Sequence, residues 1–334
     1  MEGAARYDYS VAIPAYGRHK DVRATVEAAL SQGFPPDMTW EVVVNDDGTP
    51  RPLREALSEY EGRIRLERNS RNLGFAGNWN ETLRVARGRW VHMLHSDDLV
   101  APQFAPIMWD VLRQAPPDTA FIHSHQSTRV AHQPLLGRLY ARLRGQREPA
   151  DEPCEPYRVY RKGIEAIRHV LQQGVRNTTV VVRREMAGAI KGYLERYGNF
   201  SDEEYYTRLA QMGDVVFVPR HLVAYRYHGD QISFRDWLRS DFFDEYGNMY
   251  DDVLDTLDGQ LSNCDRAMVS QRVGSVGVRV ARVQALHGDV GIARATLRRA
   301  LERSPGIART KDYRLSTVLV ASALARGIYR SFFS

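Results

Sequence analysis

Two pairs of adjacent aspartates each close an apolar run. Asp46-Asp47 follows Trp40-Glu41-Val42-Val43-Val44, and Asp97-Asp98 follows Trp90-Val91-His92-Met93-Leu94. Ionised carboxylates packed together repel one another, so a cluster of them needs a compensating charge. Hard divalent cations such as Mg²⁺ and Mn²⁺ take oxygen ligands and commonly share one or two carboxylates with substrate phosphates. A second carboxylate pair can then hydrogen-bond a base or a ribose. One such pair after a strand can equally be a turn or a helix cap. Two pairs at matched strand ends point instead to a shared ligand.

The elements that must position these groups follow from apolar spacing. Residues 9–14 read as a strand, Asp21 to Gln32 as a helix stopped by Gly33, and Trp40 to Val44 as a second strand. Strand, helix and strand with short connections form a right-handed unit, so the two strands are expected to run parallel. Continuous apolar runs predict burial on both faces. The pattern continues with a helix at Leu53–Tyr60, strands at Ile64–Glu67 and Trp90–Leu94, a helix at Trp79–Ala86, and strands at 118–123 and Thr178–Arg183. Helices at Gly163–Gln173 and Asp202–Met212 and late strands at Val215–Pro219 and Leu222–Tyr225 complete it. In a parallel α/β sheet the carboxyl ends of neighbouring strands line one crevice, which places both aspartate pairs at one pocket.

The 334 residues are enough for one large domain or a domain with an appendage. The expected division is a catalytic domain at 1–235 and a helical extension at 236–334. Residues 132–160, rich in Arg and Pro and without periodicity at their end, read as a mobile insertion that closes over the site. Cys154 and Cys264 are far apart and form no paired motif, which argues against a zinc site or a disulfide framework. Met1 to Ser10 lacks the apolar core of a signal peptide and no run reaches the length of a spanning helix, so a cytoplasmic protein is expected.

In order, the segments SVAIPAYGR, VVNDDGTP, RNLGFAGNWN, RGRWVHMLHSDD and SDEEYYTRLAQMG resemble the family-2 glycosyltransferases with the GT-A fold, over about residues 8–232. The resemblance implies an α/β, Rossmann-like, mostly parallel sheet flanked by helices, and transfer of a sugar with inversion from a nucleoside-diphosphate sugar. UDP is the favoured donor nucleotide, with GDP or dTDP as alternatives. Pro14, Ala15 and Tyr16 would line the base, and Asp46 or Asp47 would contact base or ribose. Asn72, Gly74, Gly77 and Asn80 would shape the nucleotide side of the cleft. Asp97 and Asp98 would be the ribose and metal carboxylates, with Asp98 the metal ligand. Many members read Asp-x-Asp-Asp here, whereas this chain has His95 first, as a spacer or as a contact to ribose or metal. The register of SDEE and Arg208 selects Asp202 as general base, with Glu203 and Glu204 as alternatives; a helix N-cap is the structural alternative. In YRYHGDQIS, His228 would reach the metal or the diphosphate, and Arg226 would pair with phosphate oxygens.

Three rivals are weaker. A dinucleotide-dependent oxidoreductase needs a Gly-rich turn after strand one, and Pro14-Ala15-Tyr16-Gly17 is not one. A metal-dependent nucleotidyltransferase or phosphoesterase shares acidic strand ends but releases different products. A non-catalytic nucleotide-sugar-binding protein would bind without turnover. Nucleic-acid binding is disfavoured because the basic residues lack interleaved aromatics. Residues 266–334 carry 13 Lys plus Arg against 3 Asp plus Glu. Residues 312–334 therefore read as a peripheral contact with an anionic membrane face, suiting a lipid-linked or envelope acceptor, or else as a packed helix or a homodimer contact; glycans and natural products are the other acceptors.

Overall fold

A computed structural model describes residues 5–130, 155–227 and 232–322 of the chain. Among these, one compact unit takes residues 5–129 and 155–226, and a second is built on 227 and 232–322. Most of the 132–160 stretch lies outside the described residues. Its last three are not loop: Arg158–Tyr160 is a strand (β7) that pairs antiparallel with Phe217, Val216 and Val215.

The first unit is built on β1 (Tyr7–Ala15), β2 (Trp40–Asp46), β3 (Arg65–Arg68), β4 (Gly88–Met93), β5 (Leu99–Val100), β6 (Thr119–Val130), β7, β8 (Val180–Arg183) and β9 (Asp214–Tyr227). The sheet order is β3-β2-β1-β4-β8-β6-β9-β5, with β7 on β9. The β1–β2, β1–β4 and β2–β3 pairs are parallel, while the pairs made by β8, β5 and β7 are antiparallel. This is the mixed α/β sheet expected, with its parallel half carrying the acidic strand ends. The two late strands expected separately are one, β9.

Helices cover both faces. Tyr9, Val11, Ile13 and Ala15 join Val42 and Val44 in an apolar cluster with Val22, Val26 and Ala29 of α1 (His19–Leu30) and Phe104, Ala105 and Met108 of α3 (Phe104–Gln114). The alternate residues Ser10 and Ala12 are buried as well, on the side where α2 (Gly74–Val85) packs. Double-sided burial explains why these strands are apolar without alternation. The sequence pattern does not announce α3, because Pro106 sits in its first turn. The helix expected at Leu53–Tyr60 is instead a turn and a short 3₁₀ helix at Ser58–Tyr60. Leu53, Leu57 and Tyr60 are all buried, so irregular turns satisfy the apolar spacing without a helix. The remaining helices of this unit are α4 (Ile164–Gln173), α5 (Arg184–Ala189) and α6 (Ser201–Met212).

The second unit is helical: α7 (Ile232–Trp237), α8 (Phe242–Thr256), α9 (Asn263–Leu286), α10 (Val290–Arg303) and α11 (Lys311–Ala321). Ser262 and Asp265 form a reciprocal capping box at the start of α9. A methyl group on Gly277 would lie 2.6 Å from the Phe243 ring and 2.7 Å from the Ala300 side chain, so the helices touch there at glycine distance. Arg282 is buried and donates to Ser316 Oγ and the Asp312 carboxylate, fastening α9 to α11. Part of the basic excess of this segment is thus internal. No helix among the described residues is long and apolar enough to cross a membrane.

Gly88 sits where β4 meets β1. A Cβ there would lie 2.5 Å from the Ser10 nitrogen and 2.7 Å from the Tyr9 carbonyl carbon, both main-chain atoms that cannot give way. Gly88→Ala is expected to cost about 1–3 kcal/mol in urea unfolding; an unchanged midpoint would contradict this packing.

Candidate functional site

Parallel pairing sets Ala15 beside Asp46 and Ala12 beside Met93. Both aspartate pairs therefore leave the sheet at one edge, on either side of the end of β1. The Asp47 N–H donates to the Ala15 carbonyl and the Leu94 N–H to the Ala12 carbonyl, extending both strands to the edge itself.

The four aspartates are not equivalent. Asp46 is buried, and its carboxylate accepts from the Thr49 N–H at 2.9 Å, the Leu53 N–H at 3.3 Å and the Arg68 guanidinium. These bonds fasten the loop after β2. Asp47 is also buried, 2% exposed, but no cationic side chain among the described residues bonds to it. Its Oδ1 accepts from Asn69 Nδ2 at 2.8 Å and the Leu73 N–H at 2.9 Å, and Asn69 and Asn45 both reach Asn78. Gly48 permits this close approach: it has φ +68°, and a Cβ would meet the Arg71 carbonyl carbon at 2.7 Å.

Asp98 is 0% exposed. Its Oδ1 accepts from the Arg226 N–H at 3.2 Å, while Oδ2 is buried with no hydrogen-bond partner among the described residues. Burial first, and then the neighbouring Asp97 carboxylate, push the Asp98 carboxyl well above its ordinary range, against the opposing pull of the Arg226 N–H, the Thr178 side chain and the Arg226 charge. His95, Asp97 and Asp98 offer ligand atoms that all lie within 4.8 Å of one another, with His95 Nδ1 4.0 Å from Asp98 Oδ2. An orphaned, buried carboxylate oxygen inside such a group fits a divalent cation, because an uncompensated buried acceptor is otherwise costly. The His95 ring stacks on Trp79 at 5.4 Å between centroids and 12° between planes.

Arg226 does not face the open edge. Its guanidinium donates to the Asp97 carbonyl, to the Asp21 carbonyl at 3.1 Å and to Thr25 Oγ1 at 3.2 Å, and pairs with the Asp21 carboxylate at 3.5 Å. These bonds tie the 97–98 turn to α1. His228 lies outside the described residues.

At the end of β1, Pro14 and Ala15 are buried and Tyr16 beyond them is 47% exposed. Gly17 follows with φ +64°, its N–H on Thr49 Oγ1. Asn72 is exposed and accepts from the Gly74 N–H, opening α2. Asn80 is engaged elsewhere: Nδ2 donates to the Tyr193 carbonyl at 2.8 Å and Oδ1 accepts from the Tyr193 N–H at 2.7 Å. It clamps that loop, and the Cβ a non-glycine residue would bring at Gly192 would collide with its Oδ1.

Asp202 lies in the first turn of α6 and is 9% exposed. It is not the cap; that position is Phe200. Burial first, and then the adjacent Glu203 charge, raise its carboxyl to about 7, against the opposing pull of Arg176. Glu203 lies 3.7 Å from Arg176. Glu204 is held by Arg208, which also donates to the Ile190 and Gly192 carbonyls, so Glu204 is structural. Trp79 lies between His95 and Tyr193. It stacks on His95 on one side and meets Tyr193 edge-on at 5.1 Å on the other. Tyr193 stacks on Tyr205 at 3.9 Å, and the Asp202 carboxylate is among the groups raising the Tyr193 and Tyr206 hydroxyls, after burial.

Sequence reasoning leaves out Asn69, Asn78, Trp79, Tyr193 and Thr25. Asn78 and Trp79 lie within the RNLGFAGNWN segment already singled out. Tyr193 and Thr25 carry no signal, because their roles arise only from packing. Arg226→Lys is expected to lower stability by about 1–3 kcal/mol, since an ammonium cannot span Asp97, Thr25 and Asp21 together. Thermal melts of the two proteins check this, and equal midpoints would contradict the clamp.

Residues 10–173 match the profile of the family "Glycosyl transferase family 2". Over 94 residues the chain is 32% identical to an Escherichia coli protein, the UDP-Glc:alpha-D-GlcNAc-diphosphoundecaprenol beta-1,3-glucosyltransferase WfgD; the match covers 28% of this chain and 36% of that one. The structure resembles S. aureus TarS 1-349 in complex with UDP-GlcNAc, with a TM-score of 0.59 at 14% identity, covering 97% of this chain and 92% of that one. It also resembles the mannosyltransferase PcManGT from Pyrobaculum calidifontis in complex with GDP-Man and Mn²⁺, with a TM-score of 0.58 at 15% identity, covering 97% and 86%. At these identities the structural likeness bears on the fold. The chain spans between 27% and 67% of the length of the curated relatives it matches. Residues 10–173 carry a glycosyltransferase family 2 domain, and the chain has the GT-A fold.

Proposed function

We propose that the chain transfers a sugar from a nucleoside-diphosphate sugar to an acceptor hydroxyl, with inversion and with a divalent cation. The observation that carries this reading is the buried, unpartnered Asp98 Oδ2 beside Asp97, at the same sheet edge as Asp47. Asp47 and the Pro14–Tyr16 strand end would hold the nucleoside, with Asn72 and Gly74 beside it. Asp98 and Asp97 would hold Mn²⁺ or Mg²⁺, whose contribution when bound is to neutralise the departing diphosphate. A UDP sugar is the leading donor, because relatives of this chain are named as UDP-glucose enzymes; GDP and dTDP sugars are the alternatives. Those relatives also suggest a lipid-linked glycan acceptor.

Asp202 would take the proton from the acceptor hydroxyl as the oxygen attacks the anomeric carbon. A carboxyl at about 7 is matched to that task at neutral pH. Arg226 acts by positioning, through the 97–98 turn.

The acid limb of kcat/KM is expected to rise through about pH 7. Asp202→Asn is expected to lose about 10²- to 10⁴-fold in turnover, with nucleoside diphosphate binding retained. In the unfolded chain this group ionises near 3.9, so between about 4 and 7 the folded state binds the extra proton and stability falls as pH rises. Asp202→Asn is therefore also expected to raise the Tm at pH 8. Sugar transfer unaffected by the substitution would remove Asp202 as base, and pyrophosphate as product would indicate nucleotidyl transfer instead.

For the second unit we propose contact with an anionic lipid surface. Arg294, Arg298, Arg309, Lys311 and Arg314 are exposed and form no ion pair among the described residues. Residues 323–334 lie outside the described residues. Reversing Arg294, Arg298 and Arg314 to Glu is expected to weaken flotation with anionic vesicles by about a hundredfold or more, at about 1 kcal/mol per lost basic residue. Equal flotation of both proteins would remove the idea.

A further inference from the structure

We infer that His95 makes the acidic edge a mixed nitrogen and oxygen site that selects Mn²⁺ or Co²⁺ over Mg²⁺. The inference rests on the proposal that this edge binds a cation. Two atoms bonded to one ion at about 2.1 Å each can stand no more than about 4.2 Å apart. His95 Nδ1 and Asp98 Oδ2 are 4.0 Å apart, inside that limit, and Asp97 offers a ligand atom within 4.8 Å of both. Asp98 Oδ2 is buried, and no Lys or Arg among the described residues bonds to it. Its neighbour Arg226 supplies its main-chain N–H to the other oxygen and turns its guanidinium to Asp21, Thr25 and the Asp97 carbonyl. The His95 nitrogen is thus a neutral donor placed beside a buried carboxylate oxygen to which no described Lys or Arg bonds.

The ring is held there. Trp79 lies parallel to it at 5.4 Å, and Trp79 is itself braced by Tyr193, whose main chain is gripped in both directions by Asn80. A ring fixed by stacking offers its nitrogen without the ordering cost a free side chain would carry.

The chemistry of the donor set gives the selectivity. Mg²⁺ is hard, gives up water reluctantly and binds through carboxylates, whereas imidazole suits the later divalent transition ions, whose affinities rise along the Irving–Williams order. Replacing an oxygen donor by an imidazole nitrogen therefore disfavours Mg²⁺ relative to Mn²⁺ and Co²⁺.

The test uses the full chain and UDP, titrated calorimetrically with Mn²⁺, Co²⁺ or Mg²⁺, for the wild type, His95→Asp, His95→Ala and His228→Ala. Thermal melts confirm that each variant is folded. The ratio of Mn²⁺-supported to Mg²⁺-supported affinity is expected to fall about tenfold or more in His95→Asp and His95→Ala, and to hold in His228→Ala. Pulsed electron paramagnetic resonance of bound Mn²⁺ is expected to show a directly bonded nitrogen that His95→Ala removes. An unchanged ratio in folded His95→Asp and His95→Ala, or nitrogen coupling that persists in His95→Ala and vanishes in His228→Ala, overturns the assignment to His95. Absence of any metal-dependent binding in the wild type overturns the cation site itself, and with it the reading on which this inference rests.

Discussion

The first unit is organised around one buried carboxylate, Asp98, to which no Lys or Arg side chain among the described residues bonds. Removing a charged group from water is costly unless hydrogen bonds or an opposite charge replace the solvent. At Asp98 one oxygen accepts a main-chain N–H from β9, and the Thr178 side chain and the Arg226 charge favour its ionised form, yet burial outweighs all three. The turn that carries it is nevertheless tightly fixed. Thr25 Oγ1 on α1 donates to the Ser96 and Asp98 carbonyls at 3.0 and 2.9 Å, and Arg226 ties the Asp97 carbonyl to the same helix. Three elements thus converge to hold a destabilised group in place. Sites that must bind charge from outside are built this way, with rigidity supplied by surroundings that do not themselves quench the charge.

The other acids divide between holding the scaffold and meeting a ligand. Asp46, Glu204 and Asp21 have their charges met by Arg68, Arg208 and the Arg18 and Arg226 pair. Asp47 is oriented by amides rather than by a cation. Asp202 stands on a helix, where its position is set by backbone geometry and its proton affinity by burial. The division follows the partner: an arginine makes an acid structural, while amides and apolar walls leave its charge available.

Strand ends and acidic pairs were legible in the sequence because apolar runs and short connections determine a parallel sheet and its C-terminal edge. The assignment of roles within the pairs was not. Asp46 and Asp47 are neighbours of one type, and only the fold of residues 68–73 brings Arg68 to one and Asn69 to the other. Arg226 and Asn80 have the right chemistry for a ligand, yet packing turns them inward to Asp21 and Tyr193. The helix Phe104–Gln114 was hidden by Pro106, which is tolerated in a first turn. Leu53–Tyr60 showed helical spacing and formed turns, because burial of three side chains does not require a continuous helix. His95 stood in the acidic segment all along, but its proximity to Asp98 depends on the tight turn that the Asp98 N–H closes onto the His95 carbonyl.

The central claim is that Asp98 Oδ2 and a bound diphosphate share one cation. Crystals grown with UDP and Mn²⁺, with anomalous difference density collected at the manganese edge, test it most directly. The account requires a peak within bonding distance of Asp98 Oδ2 that also touches the diphosphate, with the nucleoside beside Asp47. Nucleotide density away from this edge, or an anomalous peak that does not contact Asp98, would contradict it.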